Sequence, residues 1–355
     1  ETLFEQFDQM GVKAEDIDYV IINHMEPDHS GWLKAFKKIR PEFTIYTTKK
    51  AKDLLDAFLE IDSDVHVVKS GDTLDLGGGR VLAFEEIPNV HWPETMATFD
   101  TKTGTLMPCD AFGSFGGIID SPYDDQLTQE EIDFYESEAL RYYANIVGAY
   151  SSPTLRAISK AGKLPIKIVA PGHGIVWRKN PNKIIQDYQN YASWSKGPAK
   201  AEITLVWGSM YGNTEKGVEP VIDGIKSEGV PVHVHQVPET HYSFILRDVW
   251  KSSGVVLGMP TYEYKMFAPM AIALDEIGRK KALNRKAFRF GSYGWSGGAE
   301  KEFHEILEKY KMNWDLLESV EFKGMPRQDD LERLYQRGKE LAQKVKEWVG
   351  SEAVA

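Results

Sequence analysis

Between Asn23 and Gly31 the chain reads Asn23-His24-Met25-Glu26-Pro27-Asp28-His29-Ser30-Gly31, placing two imidazoles and two carboxylates within six residues. Such groups are costly to hold together unless a cation lies between them, so the stretch reads as a metal site. A lone His-Xaa-Glu pair would say little; the full His-Xaa-Glu-Xaa-Asp-His pattern says much more. Three further donors sit in comparable places: His91 in Asn89-Val90-His91-Trp92-Pro93-Glu94-Thr95, Asp110 after Thr105-Leu106-Met107-Pro108-Cys109, and His173 in Pro171-Gly172-His173-Gly174. A carboxylate has two oxygens and can bind one ion with each, which suits Asp110 to bridging. Seven donors suit two metals with open positions better than one.

The elements that must position these groups are short strands. Tyr19-Val20-Ile21-Ile22 is an apolar run that delivers the first motif, and Pro27 and Gly31 bend the chain before a helical pattern from Trp32 to Ile39. Phe43 to Tyr46 reads as a strand, Lys49 to Leu59 as a helix and Val65 to Val68 as a strand, with His66 a strand residue rather than a ligand. Gly77-Gly78-Gly79 is a turn before the strand Arg80 to Phe84. Ile166 to Ala170 leads into His173, whose flanking glycines allow a tight turn. A long helical pattern covers Gln129 to about Val147. The Gly- and Phe-rich stretch from Ala111 to Gly117 either lines an opening over the metals or merely connects. Tyr142, Tyr143 and Tyr150 carry no assignment.

After the helix Asn182 to Trp194, the polar segment Ser195-Lys196-Gly197-Pro198-Ala199-Lys200 reads as a linker, dividing the chain into domains 1–196 and 197–355. The second half alternates strands and helices in the manner of a doubly wound parallel sheet. Its first strand, Ile203 to Trp207, runs into Gly208-Ser209-Met210-Tyr211-Gly212-Asn213-Thr214 and a helix from near Glu215. Backbone N–H groups, hydroxyls and the positive helix end together suit a phosphate. No Gly-Lys-Ser/Thr follows, and no Gly-Xaa-Gly-Xaa-Xaa-Gly stands after the strand, which argues against nucleoside triphosphates and dinucleotides. Two later strands end in Pro260-Thr261-Tyr262-Glu263 and Ser292-Tyr293-Gly294-Trp295-Ser296-Gly297, at the carboxyl ends where such sheets bind ligands. Trp295 or Tyr262 offers an aromatic surface.

Composition narrows the field. With 355 residues, 42% of them hydrophobic, the chain can bury more than one core. A net charge of −11 disfavours nucleic acid and anionic membranes as partners. No apolar run is long enough to span a bilayer, and the start lacks signal-peptide character, so a soluble, cytoplasmic protein is expected. A single cysteine, Cys109, rules out an iron–sulfur cluster or rubredoxin-type site built from these residues alone.

The first motif resembles that of the metallo-β-lactamase superfamily, with Glu26 where its hydrolases carry a second His. A carboxylate there makes the site harder and more anionic, moving preference from zinc toward iron. The branch with this Glu is the flavodiiron proteins. The Gly208–Thr214 loop resembles the phosphate loop of flavodoxins, with Tyr211 for the central Thr. The resemblance runs from about Val20 to Val349 and implies a metallo-β-lactamase-like αββα sandwich followed by a flavodoxin-like domain. It implies that His24, Glu26 and His91 hold one iron, Asp28, His29 and His173 the other, and that Asp110 bridges. It also implies that Ser209 to Thr214 wrap the phosphate of FMN. Members of the family form head-to-tail homodimers or dimers of such dimers, with Glu26 and Trp92 as candidates between flavin and iron. They usually carry hairpins ahead of the first motif, so the chain looks truncated at its start.

The implied reaction is the four-electron reduction of O2 to water, or of nitric oxide to nitrous oxide. The implied donor is reduced coenzyme F420, as in compact enzymes of methanogens, with reduced rubredoxin as runner-up. Two readings of other classes stay open: a zinc hydrolase with an appended flavodoxin module, and an inactive scaffold beside an electron-transfer module.

Overall fold

Ile45 and Tyr46 are neighbours in sequence, yet one packs beneath helices and the other against a second sheet. Successive side chains of a strand point to opposite faces, and this alternation builds the first half of the molecule. The structure, a computed structural model, describes residues 2–118 and 121–352. Residues 119 and 120, in the stretch between Asp110 and the long helix, lie outside the described residues.

Strands β1 (Tyr19–Ile21), β2 (Thr44–Thr47) and β3 (Val65–Val67) pair in parallel in that order. β4 (Thr73–Asp75), β5 (Val81–Glu86), β6 (Met96–Asp100) and β7 (Thr105–Met107) form an antiparallel meander, to which β8 (Ile168–Val169) adds in parallel. Leu74, Leu82, Phe84 and Met96 lie between the two sheets, with Ile21 and Tyr46 packed against them. Helix α1 (Thr2–Met10) precedes β1, α2 (Pro27–Ser30) and α3 (Leu33–Ile39) follow it, and α4 (Lys49–Leu59) follows β2. On the outer face of β1 and β2, Val20, Ile22 and Ile45 meet Leu33 and Phe36 of α3 and Leu55 of α4. The outer face of the other sheet carries α6 (Ser151–Ala161), whose Ala157 borders an apolar cavity with Ala97 and Leu106. Four layers result, helix–sheet–sheet–helix.

The chain divides into two compact units. One comprises the residues up to Ala139 with Ser152–Gln189, the other Leu140–Ser151 with the residues from Asn190 onward. The division runs through the long helical pattern: α5 (Gln129–Tyr142) gives way to one π turn, Tyr143–Val147. Tyr142 and Tyr143 are buried, which assigns them to packing, whereas Tyr150 is exposed. α7 (Pro181–Trp194) is followed by the polar segment from Ser195, which belongs to the second unit, where Leu283 N–H donates to Ser195 O over 2.8 Å.

In the second unit β9 (Lys200–Trp207), β10 (Val232–Gln236), β11 (Ser252–Gly258), β14 (Lys286–Tyr293) and β15 (Asp315–Leu316) run parallel in the order β10-β9-β11-β14-β15; β16 (Val320–Lys323) extends the pairing on β14. Counted within the unit this is 2-1-3-4-5, the flavodoxin order. A small hairpin, β12 (Thr261–Tyr262) with β13 (Lys265–Met266), follows β11. Helices α8 (Val218–Ser227), α9 (Tyr242–Lys251), α10 (Ala268–Lys280), α11 (Ala299–Lys309) and α12 (Gln328–Glu352) complete the unit. α8 and α12 bury Val221, Ile225, Leu334 and Val345 against Ile203, Leu205 and Phe288, so the central strands are apolar along their length, as a sheet covered on both faces requires. Among the described residues no helix is long and apolar enough to cross a membrane.

Candidate functional site

The first motif is held as a rigid loop. Asn23 Nδ2 donates to Met107 O over 3.1 Å and Asn23 Oδ1 accepts from Thr98 Oγ1 over 2.7 Å, tying the end of β1 to β6 and β7. Met25 is fully buried, and Pro27 opens the single turn α2 with its fixed φ, presenting Glu26, Asp28 and His29 around one bend. The Trp32 indole donates to His29 O over 2.6 Å. His91 arrives from the loop between β5 and β6, Asp110 from the end of β7, and His173 from the end of β8. A Cβ at Gly172 would come 2.9 Å from His29 Cε1, and one at Gly174 would overlap Ser114 Oγ, so only glycine allows the His173 turn to approach this closely.

The structure brings all seven donors together. His24, Glu26, His91 and Asp110 form one group and Asp28, His29 and His173 another, with ligand atoms within 4.8 Å of one another in each. Asp110 lies between them. Its Oδ2 is 3.2 Å from His24 Nε2 and 3.0 Å from His91 Nε2, while its Oδ1 is 2.8 Å from His29 Nε2 and 3.3 Å from His173 Nε2. Glu26 Oε2 is 3.0 Å from His91 Nε2, and Asp28 Oδ2 is 3.3 Å from His173 Nε2.

These are not ordinary ion pairs. Asp110 Oδ1 and Oδ2 and His29 Nε2 are buried without a hydrogen-bond partner, although the nearest nitrogens and oxygens are within bonding range. Lone pairs that converge on a common point instead of on one another are the arrangement a metal requires, and an unpartnered buried carboxylate is otherwise costly. The imidazole and carboxylate donor set fits first-row divalent ions. Burial pushes the Asp110 carboxyl upward, but the imidazoles of His173, His29 and His91 outweigh it and hold the group well below the usual carboxylate range. Burial likewise opposes protonation of His29 and His91, yet Asp110 raises both above the ordinary histidine value. The same electrostatic demand favours a divalent cation.

Around the cluster, Trp92 stands edge-on to His24 with ring centroids 5.0 Å apart. Cys109 lies near His29 and Asp110, and burial and then the Asp110 charge push its thiol well above its ordinary value. Sequence reasoning gave Glu94 no role, yet its buried carboxylate lies 2.6 Å from His24 Nδ1. The only signal was its place three residues after His91. Residues 111–114 of the Gly- and Phe-rich stretch are buried, and Gly113 O accepts from Tyr188 over 2.6 Å, so this part is packed.

In the second unit a cavity of about 320 Å³ opens at the carboxyl ends of β9, β11 and β14. Ser209, Met210, Tyr211, Asn213, Pro260, Thr261, Tyr262, Glu263, Ser292, Tyr293, Gly294, Trp295 and Ser296 line it. Gly212, Thr214 and Gly297 do not; Gly212 N–H donates to Ser209 Oγ over 3.0 Å, and the buried Thr214 Oγ1 accepts from Ser292 N–H over 3.3 Å, joining two loops beneath the cavity. Tyr264 and Gly324 also line it and escaped the sequence reading. Gly324 follows β16, which is brought to the cavity only by pairing with β14. Tyr211 and Trp295 are 86% and 83% exposed, aromatic faces that a planar ring could cover. A loop that opens a helix beside such faces fits a flavin mononucleotide.

A metal-cluster αββα unit joined to a flavodoxin-like unit defines a flavin- and metal-dependent class of oxidoreductase. The profile described as ODP family beta lactamase matches residues 1–174, and that described as Flavodoxin matches residues 205–338. A nitric oxide reductase of Moorella thermoacetica is 32% identical over 356 residues, covering 97% of this chain and 87% of that protein. Among solved structures, the rubredoxin oxygen:oxidoreductase of Desulfovibrio gigas superposes with a TM-score of 0.89 at 27% identity, covering 96% of this chain and 84% of that one. A flavodiiron protein from Giardia intestinalis shares the fold, with a TM-score of 0.92 at 24% identity over 98% of this chain and 84% of its own. The chain belongs to the flavodiiron proteins and is an oxidoreductase.

Proposed function

We propose that this protein reduces dioxygen or nitric oxide with electrons passed through FMN to a pair of irons. The observation that carries the reading is Asp110, whose two unpartnered oxygens face two different sets of donors. In this reading His24, Glu26 and His91 hold one iron, Asp28, His29 and His173 the other, and Asp110 bridges them. When bound, flavin and irons supply the four electrons that with four protons turn O2 into two waters, or the two that with two protons turn two NO into N2O and water. Glu26 in place of an imidazole adds negative charge, which favours iron over zinc. The buried His24 and Asp110 keep the centre rigid, whereas the half-exposed Glu26 and Asp28 stand where a diatomic substrate and protons arrive. Ser209 to Thr214 would hold the phosphate, and the loops after β11 and β14 the isoalloxazine. Glu26 and Trp92 would stand between metal and flavin in a head-to-tail homodimer working in the cytoplasm.

The name of the D. gigas relative supports a reduced rubredoxin as donor, and that of the M. thermoacetica relative supports nitric oxide as a substrate beside O2. Reduced coenzyme F420 is the second reading for the donor, from the resemblance of the chain to the compact enzymes of methanogens. The test is elemental analysis followed by stopped-flow mixing. About two irons and one FMN per chain are expected, with fast bleaching of the flavin by one of the two donors and reoxidation by O2 or NO. Zinc in place of iron, with no consumption of either gas, would refute the reading.

A further inference from the structure

Glu94 is fully buried, and a single oxygen of its carboxylate, Oε1, takes two hydrogens: from the Met25 N–H over 3.0 Å and from His24 Nδ1 over 2.6 Å. Its other oxygen, Oε2, has no partner. Thr48 Oγ1 donates to Glu94 O over 2.8 Å, which fixes the backbone that aims the side chain. A carboxylate can only accept, so His24 must carry its proton on Nδ1 and turn the lone pair of Nε2 toward Asp110 and Glu26. A loop staple would need only the Met25 hydrogen bond. The second bond, to a ring that is itself buried, sets the tautomer and makes Nε2 a stronger donor.

We infer that Glu94 is a positioning residue for the metal centre, holding His24 in the Nδ1-protonated form and strengthening its hold on the ion. The inference rests on the reading of His24 as a metal ligand. It acts through the imidazole and does not touch the metal.

The test uses the full chain loaded with zinc(II) as a diamagnetic probe, with ¹⁵N-labelled histidines and the His24 signals assigned by their loss in His24→Ala. The parent should show His24 bound through Nε2 with its proton on Nδ1. Glu94→Gln, which can still accept both hydrogens, should keep that tautomer while zinc affinity against a competing chelator falls roughly tenfold. Glu94→Met leaves the Nδ1 proton without its acceptor, so its signal should broaden by exchange with water and zinc affinity fall about a hundredfold, with FMN content unchanged. A parent spectrum with His24 bound through Nδ1 would overturn the inference, as would parent-like zinc affinity in both Glu94 variants. If Glu94→Met does not fold, the parent tautomer and the Glu94→Gln affinity still decide. Should His24→Ala itself bind zinc as the parent does, the ligand reading falls and the inference with it. Should His24→Ala lose zinc while both Glu94 variants keep it, the inference alone falls.

Discussion

The side-chain cluster sits at the ends of strands from two packed sheets and the cavity at the strand ends of a third, and they are built in opposite ways. At the cluster, seven side chains of only three residue types converge, and its central donors are buried. At the cavity, the wall is made of loop backbone, small residues and aromatic rings, several of them exposed. The first site assembles charge that must be balanced. The second presents shape and hydrogen-bond donors that water also satisfies. One lost side chain should therefore be severe at the cluster and mild at the cavity.

Removing the shared carboxylate is the strongest way to sharpen that contrast. Asp110→Ala should lower metal content to a small fraction of the parent and turnover by roughly 10³-fold or more, while bound FMN, read from its absorbance, stays at the parent level. Next comes a contrast inside the cluster. His24 is fully buried with Glu94 behind it, whereas the His29 side chain is 17% exposed. His24→Ala leaves the buried Glu94 carboxylate only the Met25 N–H and should cost about 3 kcal/mol of stability in denaturant unfolding, with His29→Ala costing well under half of that. Equal losses would break the distinction between a buried and an open half of the centre.

At the cavity, Trp295→Ala should weaken FMN binding by about tenfold, as expected for one aromatic contact, and leave metal content unchanged. The smallest effect is expected away from both sites. The buried Asp248 is pushed up by desolvation, but His235, 2.8 Å away, and Arg247, 2.9 Å away, prevail and hold it well below the usual carboxylate range. A depressed carboxylate contributes stability that is present above its unfolded value and fades as pH falls toward its folded one. Asp248→Asn should therefore lower the melting temperature by a few degrees at pH 7, with the gap to the parent narrowing between about pH 4 and pH 2.

How much of this was legible beforehand varied with the kind of group. The seven side chains that cluster were legible as a group because His, Asp and Glu behind apolar runs are few and each has a chemistry of its own. Lys49 to Leu59 was readable as a helix from its pattern, and in the structure Thr48 caps its start and Glu60 leaves its end in the left-handed region. Glu94 was not readable: an acidic residue in a loop is commonplace, and only the packing of its loop onto the end of β1 gives it a partner. Tyr264 and Gly324 were missed for a related reason, since a hairpin turn and the register of β16 on β14 bring them to the cavity. The division of the long helical pattern at Ala139 left no local mark, because both parts keep a helical period.

By itself the order of residues determined which groups are available for chemistry, which runs form strands and helices, and which strand ends carry donors, because these follow from side-chain type and local periodicity. Only the tertiary structure decided that the ends of β1, β7 and β8 and the loop after β5 meet at one point, and that each oxygen of Asp110 faces a different set of imidazoles. Those outcomes depend on how two sheets pair and pack across most of a hundred and fifty residues, and no local interaction encodes a distance of that kind.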